Sequence, residues 1–482
     1  MHNYLSSHCI RYPGENVLAI HITPLDDSTV SELETKFRGE LLTPGTPEFD
    51  EARTIWNAMI DRRPALIARC AGVADVIAAV NFAREQNKPI AVKGGGHNIA
   101  GNAMVDDGVV IDLSLMKSVR IDPEAKTARV EPGVILAEFD HEAQAFGLAT
   151  PVGYNSTTGI SGLTLGGGFG WLSRRYGLTA DNLRGADVVT ADGRLVHASG
   201  DEHSDLFWGL RGGGGNFGVV TSFEFDLHEV GPEVLSGLLV HPFEDTAEVM
   251  EAYREFVAEA PDEVTAWMVI RHAPPLPFIP GAWHGEKVLV IAVYYDGTIA
   301  DGEAVLQPLR EIGEPIADAI GPHPYVGWQQ GFDGLLTPGA RNYWKSHNFV
   351  EFTDGMIDTF VEYGESLPTP ESEIAIAQLG GAINDVPVDA TAYPHRDAAF
   401  LMNLHTRWID PAQDDECIAW TREVHEAMTP HATGGVYVNF ISEKVGEEHA
   451  AYRENYDRLV EVKRTYDPDN LFHMNQNIAP TA

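Results

Sequence analysis

Glycine is concentrated in three short segments of this sequence, and these segments constrain the fold more than any other feature. They are residues 94–96, 159–170 and 212–218, and half of the second segment is glycine. Apolar residues such as Leu163, Leu165 and Phe169 are interleaved with these glycines, which indicates close backbone packing rather than a flexible linker. Because glycine-rich backbone loses much conformational entropy on folding, it needs a flat group or another backbone packed against it. A large cofactor is a natural partner.

The charge balance excludes several classes of partner. The chain has 482 residues, 44% of them hydrophobic, with 71 acidic and 33 basic side chains and a formal net charge of −38. This length and apolar content predict two or three folded domains. A strongly negative field repels phosphate backbones and anionic lipids, so we expect neither nucleic-acid nor membrane binding. The charge does not exclude a small-molecule ligand. The acidity fits either a halophile with a salt-rich cytoplasm or an unusually acidic mesophilic surface, and both interpretations stay open.

No disulfide framework or metal site is predicted. Cys9, Cys70 and Cys417 are far apart and odd in number, without a CxxC pair, and no HExxH, GxSxG or EF-hand spacing occurs. The first twenty residues lack a basic start and a long apolar run, and no stretch of about 18 apolar residues occurs. We therefore expect a cytoplasmic protein without a signal peptide or transmembrane segment.

Hydrophobic periodicity predicts the order strand, helix, strand between residues 63 and 97. Asp75 can cap this helix, whose apolar positions share one face. The strands expected in this half of the chain are 65–68, 89–92, 109–113, 128–133 and 219–225, and the helices are 76–82, 136–146 and 206–210. From about residue 232 to 433, helices alternate with strands such as 288–295, and proline-bearing loops are expected at 273–281 and 321–339. That change of pattern indicates a separate α+β domain.

Two glycine motifs differ in what they can bind. Gly213–Gly218 matches GxGxxG, but a predicted helix precedes it and a strand follows it, whereas a dinucleotide site needs the reverse order, so a Rossmann site is rejected. Lys93–Asn98 directly follows a strand, and its glycines can turn successive N–H groups toward an anion such as a pyrophosphate. It lacks the Lys-Ser/Thr ending of an ATP loop. The alternative interpretation of Lys93–Asn98 is a plain glycine turn with a surface histidine.

The C-terminal segment 475–478 is a further candidate. Its side-chain amides can bind a polar heterocycle or belong to a solvated tail.

Taken together, five segments resemble the FAD-binding oxidoreductases of the vanillyl-alcohol oxidase and p-cresol methylhydroxylase type. They are 93–98, 111–116, 159–182, 205–218 and 466–478, in the order of that family. The resemblance spans nearly the whole chain and points to the berberine bridge enzyme-like branch, which includes glucooligosaccharide oxidase and 6-hydroxy-D-nicotine oxidase. It implies an α+β fold with a two-part FAD-binding domain, residues 1–231 (core about 60–230) and a C-terminal return at 436–482. An antiparallel-sheet-and-helix substrate-binding domain is expected at 232–435.

The resemblance also implies which residues hold FAD. His97 matches the histidine that is joined covalently to the 8α-methyl carbon of the flavin. Asn155 stands where many relatives carry a second, cysteinyl link, so a single attachment is expected. Thr158 falls where relatives have a residue thought to gate the access of oxygen to the flavin. Both an oxidase and a dehydrogenase are therefore possible activities, and the oxidase is favoured. The remaining FAD contacts implied are Lys93, Gly94, Gly95, Gly96, Asn98, Asp112, Leu113, Gly159, Ser161, Gly162, Gly166, Gly167, Asn182, Gly218, Val219, Val220, Asn475 and Asn477.

The reaction of this family requires a base near the flavin. Hydride leaves a C–H bond next to a hydroxyl or amine for flavin N5, while the base takes the O–H or N–H proton. Tyr437 is a candidate because 434–440 is predicted to be a strand, on which Asn439 shares its face; ordinary strand packing is the alternative. Gln378 is a second candidate, for orienting the substrate. Other side chains that can cover the pocket from a loop or pack in the core are Tyr343, Trp344, His347, Arg407 and Trp408.

The expected function is that of an FAD-dependent oxidase that acts on a small organic molecule and reduces O2 to H2O2. Two alternatives stay open: a dehydrogenase with another electron acceptor, and a flavin-binding module without turnover. Neither the substrate nor the oligomeric state follows from the sequence.

Overall fold

The computed structural model describes residues 25–443 and 446–481, which form an α+β fold. Its α-helices are α1 (Asp27–Glu34), α2 (Phe49–Ala52), α3 (Val73–Glu85), α4 (Leu136–Gln144), α5 (Ile160–Leu165), α6 (Ser173–Tyr176), α7 (Ser204–Leu210), α8 (Thr246–Glu259), α9 (Ile299–Arg310), α10 (Tyr325–Gln329), α11 (Asp354–Gly364), α12 (Ala382–Asp385), α13 (Asp414–Met428), α14 (Glu448–Tyr452) and α15 (Tyr456–Tyr466). Its strands are β1 (Glu40–Leu42), β2 (Leu66–Arg69), β3 (Ile90–Lys93), β4 (Val109–Asp112), β5 (Val119–Asp122), β6 (Thr127–Val130), β7 (Leu148–Ala149), β8 (Leu183–Val189), β9 (Leu195–Ser199), β10 (Val219–Asp226), β11 (His228–Glu229), β12 (Glu233–Pro242), β13 (Val264–His272), β14 (Lys287–Tyr295), β15 (Ala317–Asp318), β16 (Gly321–Pro324), β17 (Arg341–Phe349), β18 (Glu373–Gln378) and β19 (Phe400–Trp408).

Two sheets organise the N-terminal half. The first has the order β1-β2-β4-β3, in which β2 and β3 both run parallel to β4 and α3 makes the crossover. The second is antiparallel, with the order β5-β6-β10-β8-β9. Helix α3 buries Val76, Ala79, Val80 and Ala83 in the core between the sheets, as its apolar spacing requires. The strand, helix, strand order predicted for this region is confirmed.

Asp75 does not hold the N-cap position predicted for it. Helix α3 begins at Val73 after Gly72, and Asp75 lies in its first turn. The Asp75 carboxylate accepts hydrogen bonds from three backbone N–H groups, those of Arg38 (2.9 Å), Gly39 (3.0 Å) and Ala71 (2.9 Å). The prediction is wrong because this carboxylate binds a distant loop as well as the turn before the helix, and local sequence does not show the distant partner.

A larger antiparallel sheet organises the following part of the chain. Its order is β15-β12-β14-β13-β18-β19-β17, and β16 also pairs with β12. Alternate residues point to opposite faces. One face, with Met268, Ile291 and Met402, packs on helices α8, α11 and α13. The opposite face carries Trp267 and Asn403 and borders a pocket on the side of the N-terminal half.

Helix α15 returns the chain to the N-terminal half. It packs against α7, with Leu459 and Val460 in the same core as Leu206 and Phe207. The GxGxxG segment lies between α7 and β10, so a helix precedes it and a strand follows it, as predicted. This order is the reverse of a Rossmann site.

Lys463 ties this returning helix to the glycine segment. Its buried ammonium donates to the carbonyls of Asn216 (2.8 Å) and Phe472 (2.7 Å) and to the Asp467 carboxylate (2.7 Å). Lys463→Met is expected to lower the free energy of unfolding by about 3–5 kcal/mol, because it leaves a buried carboxylate without its cation. Denaturant titration measures this loss. As a control, Lys36→Met removes an exposed Lys36–Glu32 ion pair and should cost at most about 1 kcal/mol; equal losses for the two variants would contradict the assigned role.

Three predicted loop and strand assignments differ from the structure. Residues 434–440 do not form a strand; Val438–Phe440 is a 3-10 turn in which the Phe440 N–H donates to the Tyr437 carbonyl (2.9 Å). The segment with Tyr343, Trp344 and His347 is not a loop but strand β17, which pairs with β19, the strand of Arg407 and Trp408. The 321–339 loop contains β16 and α10. Strands β17 and β16 form because they pair with strands distant in the sequence, and local sequence does not indicate such pairing.

Two general features concern residues 25–443 and 446–481 only. No helix there combines the length and apolarity needed to cross a membrane. No group of three or more His, Cys, Asp or Glu side chains in this part of the chain is arranged to bind a metal ion. Cys70 and Cys417 are buried free thiols, and Cys9 lies outside the described residues.

Candidate active site

A cavity lies where the glycine segments, the 3-10 turn and the C-terminal segment meet. It is bordered by the loop after β3, the start of α5, the start of β10 and the residues around the 3-10 turn. The predicted residues that line it are Gly94, Gly95, Gly96, His97, Asn98, Leu113, Thr158, Gly159, Ser161, Gly162, Gly218, Val219, Val220, Tyr437, Asn439 and Asn475. The fold thus brings together segments from both ends of the sequence.

Backbone contact explains why glycine occupies positions 95 and 159. A Cβ atom on Gly95 would lie 2.4 Å from the nitrogen of Gly159, and a Cβ atom on Gly159 would lie 2.4 Å from the nitrogen of Gly95. Either side chain would force the two loops apart, since these distances are well inside van der Waals contact. Gly96 has a φ of +73°, a left-handed conformation that glycine adopts without strain, immediately before His97.

His97 lies in the cavity wall with its ring held on two sides. The Trp56 ring stacks on it, with centroids 5.3 Å apart and planes at 23°, and His97 Nε2 lies 3.0 Å from the Thr157 hydroxyl oxygen. Burial lowers the pKa of His97 to about 4, although the backbone of Thr157 opposes this shift. The imidazole is therefore neutral at neutral pH. A neutral imidazole keeps one nitrogen lone pair, which makes it a competent nucleophile.

Tyr437 and Asn439 form a hydrogen-bonded pair at the cavity. The Tyr437 hydroxyl oxygen accepts from the Asn439 amide (3.0 Å) and from the Gly168 N–H (3.0 Å). Burial raises the pKa of Tyr437 to about 12, and these two donors act in the opposite direction. The donors stabilise the phenolate, so this phenol releases its proton more easily than an equally buried tyrosine without them. A Cβ atom on Gly166 would lie 2.4 Å from the Asn439 amide, so glycine there gives the pair its space.

Some predicted cofactor contacts lie outside the cavity wall. The Lys93 ammonium donates to the Ala52 carbonyl (2.8 Å) and lies 3.5 Å from the Asp112 carboxylate. Gly167 packs against the Tyr393 ring. These residues support the wall from behind rather than line it.

Among the predicted amide residues, Asn182, Gln378 and Asn477 do not line the cavity. Asn182 donates to two backbone carbonyls at 2.8 Å each, and Gln378 accepts from the Ala266 N–H (3.0 Å) within the large sheet. Asn477 does not line the cavity, but its buried Oδ1 has no hydrogen-bond partner among the described residues. The side chains of Asn182 and Gln378 are thus already used within the protein.

Several lining residues were not indicated by any motif. They include Trp56, Asn102 and Tyr154. Asn102 follows Asn98 by four residues, and its N–H donates to the Asn98 side chain (2.9 Å), so this local spacing could have suggested it. The two aromatic residues have no such signal, because only the tertiary fold brings them to the cavity.

An apolar pocket adjoins the cavity. The two share Tyr154, Phe169, Leu336 and Phe440. The pocket floor is one face of the large sheet and consists of alternate residues of five neighbouring strands: Leu238, Val240, Val290, Ala292, Trp267, Val269, Ala375, Ala377 and Leu401. Trp171 stacks on Trp267 with centroids 4.2 Å apart. Such a surface favours a flat apolar ligand.

A small polar group lies at one side of this pocket. The Arg271 guanidinium donates to Glu373 (2.8 Å), whose second oxygen lies 3.0 Å from His405 Nδ1. Burial raises the pKa of Glu373, but Arg271 and His405 outweigh it and lower the pKa to about 2, so the carboxylate is ionised. Asn403 is buried, and neither its oxygen nor its nitrogen has a partner among the described residues. An unpaired buried amide is costly, and a ligand can satisfy it.

Comparison with known proteins places this geometry in a family. Residues 64–199 match the FAD binding domain family, and residues 436–479 match the family of berberine and berberine-like proteins. The (R)-6-hydroxynicotine oxidase of Paenarthrobacter nicotinovorans is 33% identical over 460 residues, which cover 92% of this chain and 97% of that protein. An FAD-linked oxidoreductase of Dictyostelium discoideum is 31% identical over 457 residues, covering 94% and 97%.

Solved structures agree with this placement. The crystal structure of 6-hydroxy-D-nicotine oxidase from Arthrobacter nicotinovorans matches with a TM-score of 0.82 and 29% identity, covering 92% of this chain and 98% of that one. A chitooligosaccharide oxidase matches with a TM-score of 0.82 and 27% identity, covering 95% and 100%. The predicted α+β class with an FAD-binding domain and a substrate domain is confirmed. The chain belongs to the berberine-like family of FAD-linked oxidoreductases.

Proposed function

We propose that this protein is an oxidase that takes hydride from a C–H bond next to a hydroxyl or amine of a small aromatic molecule and reduces dioxygen to hydrogen peroxide. The supporting observation is that the cofactor cavity adjoins an apolar pocket, with Tyr437 beside the shared residues Phe169 and Phe440, at centroid distances of 5.2 and 4.9 Å. Hydride transfer needs cofactor, base and substrate at one junction. The relatives named as oxidases support the choice of dioxygen as acceptor.

The residues of the cavity fit FAD. Gly94, Gly95 and Gly159 line the cavity, where successive backbone N–H groups can face a pyrophosphate. None of the described residues that line the cavity is an Asp, Glu, Lys or Arg, although the whole chain has a net charge of −38. A cofactor anion therefore meets neutral donors rather than the acidic surface. When bound, FAD supplies a ring that accepts hydride at N5 and returns electrons to dioxygen.

His97 is proposed as the single point of covalent attachment. Its neutral imidazole lies in the cavity wall, where a nucleophilic nitrogen can reach a cofactor. Asn155, which stands where the resemblance places a cysteinyl link, lines the same cavity. Cys70 and Cys417 are buried in cores elsewhere, so neither offers a second link.

Tyr437 is proposed as the base that takes the substrate proton. Its hydroxyl oxygen accepts two hydrogen bonds, from Asn439 and Gly168, an arrangement that stabilises negative charge on that oxygen. Asn439 thereby acts through Tyr437 rather than on the substrate. Gln378, whose oxygen is bound by the Ala266 N–H, is not given a role in the reaction.

The pocket supports an aromatic substrate with one or two polar groups. Its walls are aromatic and aliphatic, and Arg271 and Glu373 already neutralise one another. Polyhydroxylated substrates would leave most of their hydroxyls without partners on such walls, at a cost for each buried group. A flat ring gains from stacking on Trp267 or its neighbours, and a single polar substituent can satisfy Asn403.

Asn403→Leu tests this assignment of substrate contact. The variant is expected to raise KM for the best substrate roughly tenfold, because one hydrogen bond of about 1–1.5 kcal/mol is lost while the size of the side chain is kept. Steady-state kinetics measures the change. Asn348→Leu is the control, since Asn348 is also buried without side-chain partners but does not line the pocket. An unchanged KM in Asn403→Leu would exclude the contact.

A substrate screen tests the function itself. Aromatic alcohols and amines, with oligosaccharides for comparison, are mixed with the purified protein in air, and flavin absorbance and hydrogen peroxide are followed. Flavin bleaching with peroxide release by an aromatic compound is expected. Bleaching without peroxide would instead establish a dehydrogenase with another acceptor. A flavin that no compound of the screen bleaches would favour a binding module without turnover.

A further inference from the structure

Thr157 and Asn155 form a short hydrogen-bond chain to the His97 ring. The Thr157 hydroxyl oxygen lies 3.0 Å from His97 Nε2 and 2.7 Å from the Asn155 side-chain oxygen. The same Asn155 oxygen lies 3.1 Å from the Thr157 backbone nitrogen. Asn155 is buried.

The direction of each hydrogen bond in this chain is fixed by chemistry. A backbone N–H can only donate, so the Asn155 atom that faces Thr157 must be its oxygen rather than its nitrogen. That oxygen can only accept, so the Thr157 hydroxyl donates its single hydrogen to Asn155. The Thr157 oxygen can then only accept from His97, which requires a proton on Nε2.

One further observation agrees with this direction. No hydrogen bond to Nδ1 of His97 occurs among the described residues, whereas Nε2 is bound. Since burial keeps the ring neutral, a proton on Nε2 leaves the lone pair on Nδ1. Stacking on Trp56 limits rotation of the ring.

We propose that Asn155 and Thr157 are positioning residues that hold His97 in the Nε2-protonated form and so direct covalent attachment of FAD to Nδ1. This proposal rests on the attachment through His97 proposed above.

The attachment step balances with dioxygen as oxidant. One bond forms, between Nδ1 and the 8α carbon, and one C–H bond of the 8α-methyl group breaks. The methyl hydrogen leaves as a proton and its electron pair stays on the ring system, which is thereby reduced by two electrons. Nε2 gives up its proton once Nδ1 is alkylated. Dioxygen takes up two electrons and two protons to become hydrogen peroxide, which restores the oxidised flavin.

The test measures attachment rather than turnover. Wild type, Thr157→Val, Thr157→Ser and Asn155→Ala are produced in a riboflavin-starved host, FAD is added, and the covalently bound fraction is followed by intact mass. Thr157→Val removes the acceptor for His97 Nε2, and Asn155→Ala removes the acceptor that fixes the direction of the Thr157 hydroxyl. Both variants are expected to slow attachment roughly tenfold, while Thr157→Ser keeps the hydroxyl and the wild-type rate. NMR of the flavinylated peptide identifies the bonded nitrogen, expected to be Nδ1 in wild type and a mixture in the slow variants.

The outcomes separate the two proposals. A wild-type protein that binds FAD without a covalent bond would overturn attachment through His97 and the positioning role with it. A wild type that attaches FAD, together with variants that attach it at the wild-type rate and only through Nδ1, would overturn the positioning role alone. Should Thr157→Val fail to fold, Asn155→Ala compared with Thr157→Ser decides the question in the same way. Equal non-covalent FAD affinity of the variants excludes a general structural effect.

Discussion

Tyr437→Phe is expected to lower the rate of flavin reduction by substrate about 10²–10³-fold, within the usual range for loss of a general base. The ring of Tyr437 packs against Phe169 and Phe440, and phenylalanine can keep these contacts while it removes the hydroxyl. The measurement is anaerobic stopped-flow absorbance with the best substrate of the screen. A phenol of high pKa must lose its proton to act as a base, so kcat/KM of the wild type should rise with pH below the Tyr437 pKa of about 12. This dependence should disappear in the variant.

Tyr393→Phe provides the matched control for Tyr437→Phe. Tyr393 is equally buried, its ring centroid lies 6.4 Å from that of Tyr437, and its hydroxyl has no partner among the described residues. Removing this hydroxyl should leave the rate of flavin reduction within about twofold of wild type, because no hydrogen bond is lost. If Tyr437→Phe reduced flavin as fast as Tyr393→Phe, the base would have to be another group.

His97→Ala is expected to abolish covalent attachment while the protein still folds and binds FAD. The glycine loops and Asn475 do not depend on the imidazole, so the cofactor should be retained in the native protein and lost completely on acid denaturation. Absorbance of the filtrate after acid precipitation measures the released flavin. His141→Ala, at an exposed histidine of α4, should release none. Flavin that stays with the precipitated His97→Ala polypeptide would place the bond at another residue.

Many of the residues that line the cavity lie in segments the sequence singles out, because each glycine segment is a local signal. Glycine at positions 95 and 159 predicts close packing against the backbone, and the fold shows that these two backbones contact each other. The pairing of Tyr437 with Asn439 is also found, although for the wrong reason. A 3-10 turn rather than a strand brings the two side chains together, and both arrangements put residues two apart within reach.

The parts that sequence reasoning misses depend on tertiary contacts. Trp56 and Tyr154 carry no motif and reach the cavity only because distant segments pack together. Gln378 and Asn182 illustrate the opposite case, since their side-chain amides bind backbone groups within the protein. Local sequence does not distinguish these two uses. The Asn155 to His97 chain is likewise visible only in three dimensions.

Intact mass of the wild-type protein under denaturing conditions tests most directly whether FAD is bound covalently through His97. The predicted result is a polypeptide heavier than its sequence by one FAD, with the added mass on the proteolytic peptide that contains His97. His97→Ala, measured in parallel, should have the mass of its polypeptide alone. A wild-type mass without added FAD, with yellow flavin released on denaturation, would contradict the proposed attachment.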